Sequence, residues 1–355
     1  MKLGAFFMPS HPPERPLFDA LQWDLATLEQ LDRLGFHEAW IGEHFTAPWE
    51  PVPAPDLLIA QALLRTSQIK LCPGAHLLPY HHPIELAHRV ALLDHLARGR
   101  YMLGVGISAL PSDLALYGID AAGGENRRMT LESLDIMLRL WRGEPFDFDG
   151  AFWKVRKPAS SFDFLKLHLT PYQKPHPPIG IAGLSAGSET LKLAGERGFL
   201  PLSISLNDSH TASHWQSVEE GARRSGRTPQ RADWRLVREI YVAPSDAEAK
   251  RRARDGALGR TWRDYLLPFY VGSGMARHFL HPGDPERLLD VDYLIERSWL
   301  VGSPDTVTRK LASLAATTGG FGTLLAMIYD FSREQAWWNE SLQLLLSEVM
   351  PHFRG

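Results

Sequence analysis

The stretch EAWIGEHF, Glu38 to Phe45, begins like a buried strand and ends on a charged pair. Ala39, Trp40, Ile41 and Gly42 are the apolar and small residues that a covered strand requires. Glu43 and His44 follow at once, which makes sense if the C-terminal end of the strand opens onto a site.

The same rhythm continues on both sides. LGAFFM (Leu3–Met8) reads as a strand, and the amphipathic run to Gly35 as a helix that the glycine closes. After DLLIAQALLRTS comes a third strand, IKLCPGAHLL (Ile69–Leu78), and then a helix stopped by Gly99. YMLGVGIS (Tyr101–Ser108), PIGIAG (Pro178–Gly183), LPLSISLN (200–207), RLVREIYVA (Arg235–Ala243) and GTLLAMIYD (322–330) supply five more strands. Eight mostly apolar strands alternating with helices predict a parallel sheet covered on its outer face. A closed (β/α)8 TIM barrel with insertions fits this count, and an open doubly wound sheet is the alternative. The whole chain, 1–355, reads as one domain, with insertions at about 109–178 and 256–303 too long for ordinary loops.

Bulk properties narrow the function. A formal charge of −3 and the absence of a basic tract beyond KRRAR (Lys250–Arg254) exclude a nucleic-acid binder. The single cysteine, Cys72, excludes a disulfide framework and a Cys-rich metal centre, and its apolar surroundings suit packing. No apolar run reaches the roughly 18–20 residues that span a bilayer, and the N-terminal run is too short for a signal peptide. A cytoplasmic protein with no membrane contact is expected.

In a barrel the chemistry sits at the C-terminal strand ends. Those ends are rich in small and aromatic residues and poor in carboxylates, Glu43 being the one acid near a strand end. A two-carboxylate glycosidase is therefore hard to build, and the rim suits a flat ring. In AGLSAGSET (Ala182–Thr190) a strand gives way to a helix start with Ser185 and Ser188 three apart. Free amides and hydroxyls there make a phosphate cradle, unless Ser185 only caps its helix. Gly74–Ala75–His76 permits close approach of a planar ligand, and Gly104 and Gly106 thin the next strand. His76, His81 and His82 lack a convergent carboxylate set, so no metal site is expected. Arg127 either pairs with Glu125 or Glu132 or meets a phosphate.

With these residues in hand, the chain resembles the bacterial luciferase-like, flavin-dependent monooxygenases. The resemblance rests on GFHEAWIGEHF, HHPIELAHRVALLDHLARGRYMLGVGIS, NRRMTLESLDIMLRLWRGEPFDFDGAFW, IAGLSAGSETLKLAGERG and LVGSPDTVTRKL, in that order along nearly the full length. Within the family, PAPDLLIAQALLRTSQIKLCPGAHLLPYHHP and VGSPDTVTRKLASLAATTGGFGTL look most like the diketocamphane and limonene monooxygenases.

The resemblance implies reduced FMN delivered by a separate NAD(P)H:flavin reductase, O2 adding at flavin C4a, and oxygen transfer to an apolar terpenoid or cyclic ketone. It places His44 as the catalytic histidine beside the flavin. Leu184, Ser185, Ala186 and Ser188 would hold the phosphate, with Arg127 in support. Gly74–Ala75, a non-prolyl cis peptide in many members, would lie with His76 and Gly106 against the ring. Gly106 and Ile107 stand where luciferase itself has a reactive cysteine and a phosphate-binding arginine, so light emission is not expected and FMN binding would be looser. Phe7, Phe45, Trp49 and Tyr80 would line the substrate pocket. His44 is expected near-neutral, with Glu43 either orienting it or pointing into the barrel wall to pair with a lysine or arginine. A homodimer is implied. An F420-dependent hydride-transfer enzyme on the same barrel and a non-catalytic flavin-binding protein are the alternatives.

Overall fold

A computed structural model describes residues 1–159 and 162–353. Its strands are β1 (Lys2–Phe7), β2 (Glu38–Ile41), β3 (Lys70–Pro73), β4 (His76–Leu77) and β5 (Leu103–Gly106). They continue with β6 (Phe148–Asp149), β7 (Lys154–Val155), β8 (Ile179–Gly183) and β9 (Leu200–Ser203), then β10 (Arg235–Arg238), β11 (Ile240–Val242), β12 (Leu300–Gly302) and β13 (Thr323–Ile328). Nine of these form one sheet in the order β3-β2-β1-β13-β10-β9-β8-β5-β4, every neighbour parallel. The two ends meet: β4 pairs with β5, and Leu71 of β3 bridges to Tyr101 just ahead of β5. Because β3 and β4 are two segments of one stave, the nine strands make the eight staves of a (β/α)8 barrel.

The pleat divides the side chains. Phe6, Trp40, Cys72, Leu202, Val237 and Leu325 point into the barrel and pack together. Their chain neighbours Ala5, Phe7, Ala39, Ile41 and Leu71 point outward into the larger core shared with the helices. Trp40 is the widest plug, and it determines the composition of other strands. A Cβ on Gly74 would lie 2.7 Å from the Trp40 Cβ, one on Gly104 3.1 Å from its Cζ3, and one on Gly180 closer still to the indole edge. Gly104 thus makes room first for the Pro73 carbonyl and then for Trp40, and it also borders the cavity above them. Below the indole, Trp40 Nε1 donates to Glu38 Oε1 at 2.9 Å, and Glu38 pairs with Arg235 at 3.0 Å. Burial opposes this charge, but bonds from His37, Arg235 and Trp40 outweigh it and hold the Glu38 carboxyl down at about 2.

Three stretches differ from the sequence reading. Strand three is broken at Gly74–Ala75, whose peptide bond is cis. Strand seven leaves the barrel after Arg238: β11 pairs with β12 in a separate two-stranded ladder. The segment 256–303, expected to be irregular, is largely helical, with Ala257–Thr261, a π-helical turn at Trp262–Leu266, Leu267–Gly272 and Val291–Arg297. Its dense aromatics and the Pro268, Gly272 and Gly274 punctuation hide the helical period. The segment 109–178 holds the helices Pro111–Leu116 and Glu125–Trp141 and the β6–β7 hairpin. Residues 160 and 161 of it lie outside the described residues. No helix among the described residues is long and apolar enough to cross a membrane.

Candidate active site

A cavity of about 760 Å³ opens at the C-terminal ends of the barrel strands. Its floor is Trp40 with Phe6, and its roof comes from the 256–303 segment through Trp262, Tyr265, Leu266, Phe269 and Tyr270. A π-turn at Trp262–Leu266 rotates these rings relative to an ordinary helix, a device common at functional sites. Of the residues singled out from sequence, His44, Gly74, Ala75, Gly106, Arg127, Leu184, Ser185 and Ser188 are all in the cavity wall.

The others are not. Phe7 is 1% exposed and faces the outer core; Phe6, one residue earlier, is the one that faces the cavity. The reading was off by one position, which in a strand exchanges the two faces. Phe45 and Tyr80 join Leu77 and Leu114 in a satellite cluster beside the site. Trp49 stacks on the wall residue Tyr265, ring planes 1° apart and centroids 5.9 Å apart, and so backs the wall without being part of it. Ala186 is exposed at the helix start, and its neighbour Gly187 is the wall residue.

His76 is buried behind the wall. Its Nδ1 lies 2.7 Å from Glu43 Oε2, and His81 Nε2 lies 2.8 Å from Glu43 Oε1. Glu43 therefore bonds neither to His44 nor to a lysine or arginine, and its partners in the wall are two histidines. It also supplies the carboxylate that the sequence could not place beside His76 and His81. The spacing is that of hydrogen bonds. Two ligands of one tetrahedral zinc, each about 2.0–2.1 Å away, would be roughly 3.3 Å apart. The two imidazole N–H groups hold Glu43 charged, outweighing the burial that opposes it.

His44 has different partners. Its Nδ1 is 3.2 Å from Asp113 Oδ2, and its Nε2 is 3.0 Å from Glu50 Oε2. Asp113 sits in the helix Pro111–Leu116 and also accepts from the backbone N–H of Thr46 at 2.7 Å and Phe45 at 3.2 Å, so it clamps the whole loop after β2. Glu50 is 2% exposed and belongs to the same loop. Burial disfavours a charged imidazole, but Glu50 and Asp113 outweigh it and raise the His44 pKa above 6.5. Burial raises the Glu50 carboxyl as well, whereas bonds from His44, Thr46 and the Phe45 backbone lower Asp113 against its own burial. The imidazole thus lies between two acids, both of which favour its charged form. Sequence reasoning missed both: they lie 6 and 69 residues from His44, and neither carries a motif.

At the far side of the cavity the helix Glu189–Arg197 begins. Ser188 is its N-cap, accepting from Leu191 N at 3.4 Å, so the capping role considered for Ser185 belongs to Ser188. Ser185 is exposed, and its carbonyl is fixed by His214 Nε2 at 3.0 Å. Arg127 forms no ion pair among the described residues. The acids proposed for it are engaged elsewhere: Glu132 accepts from the N–H groups of Ala151, Phe152 and Trp153, and Glu125 from that of Asp120. Ser108, also in the wall, has φ 62, a left-handed conformation braced by Tyr80 Oη at 2.6 Å from its Oγ and by Asn126 Nδ2 at 3.3 Å from its carbonyl.

Residues 1–320 match the model of the luciferase-like monooxygenases. The chain belongs to that family. Among luciferase-like relatives, it is 35% identical to 3,6-diketocamphane 1,6-monooxygenase of Pseudomonas putida, over 99% of this chain and 98% of that one. It is 34% identical to limonene 1,2-monooxygenase of Rhodococcus erythropolis, over 99% of this chain and 86% of that one. The solved structure of the oxygenating constituent of the P. putida 3,6-diketocamphane monooxygenase, described as a type II Baeyer–Villiger enzyme in complex with FMN, superposes with a TM-score of 0.92. It is 36% identical and covers 99% of this chain and 98% of its own. The fold and family expected from the sequence are therefore those observed.

Proposed function

We propose that this flavin-dependent monooxygenase uses O2 and reduced FMN, supplied by a separate NAD(P)H:flavin reductase, to insert oxygen into an apolar terpenoid or cyclic ketone. The observation that carries the reading is the composition of one cavity. It joins a helix N-terminus with an arginine that forms no ion pair among the described residues at one end, an imidazole held between two acids at a strand end, and an aromatic roof.

These features fit FMN. Arg127, the Ser185 hydroxyl and the amides leading into the helix Glu189–Arg197 would hold the phosphate. Gly106 and Gly74–Ala75 present backbone, with no large side chain, where a flat ring would lie. Bound in reduced form, the cofactor supplies the electrons by which O2 is split between product and water. The chain's own residues do the rest. Trp40 and the roof rings exclude water and hold an apolar substrate. In its protonated form, which Glu50 and Asp113 favour, His44 would pass a proton to an oxygen in the cavity. Asp113 fixes the ring from Nδ1. Glu43, through His76 and His81, positions the broken third stave.

The chain is proposed to act as one unit over 1–355 and as a homodimer in the cytoplasm. Leu57, Leu64, Leu92 and Leu96 are exposed on the helices Pro55–Leu63 and Pro83–Ala97 and just beyond them, and such a leucine face suits a second copy.

The test is anaerobic titration with reduced FMN, then mixing with 18O2 and a cyclic ketone, with products read by mass spectrometry. One 18O atom in the product supports the proposal, and His44→Asn should slow turnover by about 100-fold or more. Tight binding of reduced F420 with hydride transfer and no 18O incorporation would replace it with the deazaflavin reading.

A further inference from the structure

Glu239 is the residue at which the seventh stave leaves the barrel, between the end of β10 and the start of β11. Its carbonyl is fixed by the N–H of Leu300 at 2.9 Å, so the departure is braced from outside. The side chain turns the other way, into the cavity wall, and is 2% exposed. In an eight-staved ring this stave stands opposite the third, so Glu239 faces across the cavity towards Gly74–Ala75.

The hydrogen-bond pattern assigns its two oxygens different tasks. Trp262 Nε1 donates to the Tyr329 hydroxyl at 2.9 Å, and Tyr329 has one proton of its own, which goes to Glu239 Oε1 at 3.0 Å. Oε1 is thus an acceptor. Oε2 is buried and has no hydrogen-bond partner among the described residues. A bare carboxylate oxygen at such a place would be costly, whereas a carboxylic acid can turn its O–H from this closed position to a cavity occupant that accepts it.

Of the groups around it, the adjacent Arg238 and the bonds from Tyr329, Trp262 and the Glu239 backbone favour ionisation, and burial outweighs them. Arg238, the adjacent cation, directs its guanidinium to the Ser205 carbonyl at 2.8 Å and to Asp208 at 3.2 Å. From the 256–303 segment and β13, the groups facing Glu239 are Tyr270, Trp262 and Tyr329, all uncharged. Burial is the largest influence on Glu239 and raises its pKa, and the bonds it accepts do not reverse this.

We propose that Glu239 is a specificity-determining contact that keeps its proton on Oε2 and donates it in a hydrogen bond to the carbonyl oxygen of a ketone substrate. The proposal rests on the ketone-oxygenation reading above and adds what selects a ketone over a hydrocarbon of the same shape. A buried polar group that stays unpaired with the wrong substrate discriminates far more strongly than added apolar contact does. It also sets the geometry, since a carbonyl anchored at Glu239 presents its carbon towards the centre of the cavity.

The experiment is difference infrared spectroscopy of the full-length FMN-loaded protein at pH 7, wild type against Glu239→Gln, with cyclic ketones from cyclohexanone to a diketocamphane. A protonated-carboxyl C=O band should be present in wild type and missing in E239Q, and should shift with a ketone but not with cyclohexane. Glu239→Leu should raise the KM for ketones by about tenfold or more, and E239Q, which keeps an N–H donor, should recover most of that. The affinity for FMN should be the same in all three proteins. A carboxylate band alone at pH 7 overturns the proposal. So does a ketone series that binds wild type no better than E239L, or that binds without moving the carboxyl band. If FMN itself fails to bind, the functional reading falls by that measurement, while the infrared band still reports the Glu239 proton and its response to ketone.

Discussion

Glu50 Oε2 lies 3.0 Å from His44 Nε2, with Asp113 on the other ring nitrogen at 3.2 Å, so the histidine at the end of the second stave is held from both sides by acid. The two acids have unequal roles. Asp113 also binds the loop backbone, whereas Glu50 lies buried in the cavity wall on the Nε2 side, where a proton would leave.

Replacing Glu50 by Gln removes one of the two charges that raise the His44 pKa and leaves the ring's packing in place. The limb of the kcat/KM–pH profile that belongs to His44 should therefore move to lower pH, towards 6.5. His44→Asn, which should lack the limb, identifies it. A limb that does not move in Glu50→Gln would show that Asp113 alone controls the ring.

Arg127 offers a direct test of the phosphate end. It is exposed at the cavity wall and its side chain forms no ion pair among the described residues, so removing it breaks no salt bridge of the fold. Arg127→Ala should weaken FMN binding by about tenfold, or about 1.4 kcal/mol, and leave riboflavin binding unchanged. Flavin fluorescence titration reads both. Equal losses for the two flavins would assign Arg127 to the ring or to the loop.

Stability should depend on pH through His11, which is away from the cavity. Its Nε2 is 3.0 Å from Asp24 and its Nδ1 2.9 Å from Asp330. Burial opposes its charge, but the two carboxylates prevail and raise it from 6.5 to about 9. A raised folded-state value stabilises fully below pH 6.5, and that contribution is lost as pH rises from 6.5 to about 9. At about 1.4 kcal/mol per unit, the loss is on the order of 3 kcal/mol. Urea unfolding of wild type and His11→Asn across that range should show their difference shrinking with pH. A constant difference would mean that the ring is neutral throughout.

The eight staves were legible in the sequence because each is a short apolar run bounded by a helix with a recognisable stop such as Gly35 or Gly99. The glycines and hydroxyls at the strand ends were legible for the same reason, as strand ends fix where a site must be. What escaped the reading depends on contacts remote in sequence. The clamp on His44 joins residues 69 apart, the acid beside His76 lies 33 earlier in the chain, and Tyr265 reaches the wall from a segment that reads as irregular. Phe6 and Phe7 show a finer limit: two adjacent phenylalanines satisfy the same apolar pattern, and the pleat alone decides which one a ligand meets.

The indole of Trp40 rests against Gly180, in the fifth stave of the barrel. A methyl group there would meet the indole first, whereas one at Gly104 would meet the Pro73 carbonyl and one at Gly74 the Trp40 Cβ and the backbone of Trp40 and Ile41. A smaller residue at position 40 would leave a hole under the cavity, and position 180 is where that space can be filled. A descendant that needs a deeper well for a longer substrate should therefore change positions 40 and 180 in step, while 74 and 104 remain glycine whatever stands at position 40.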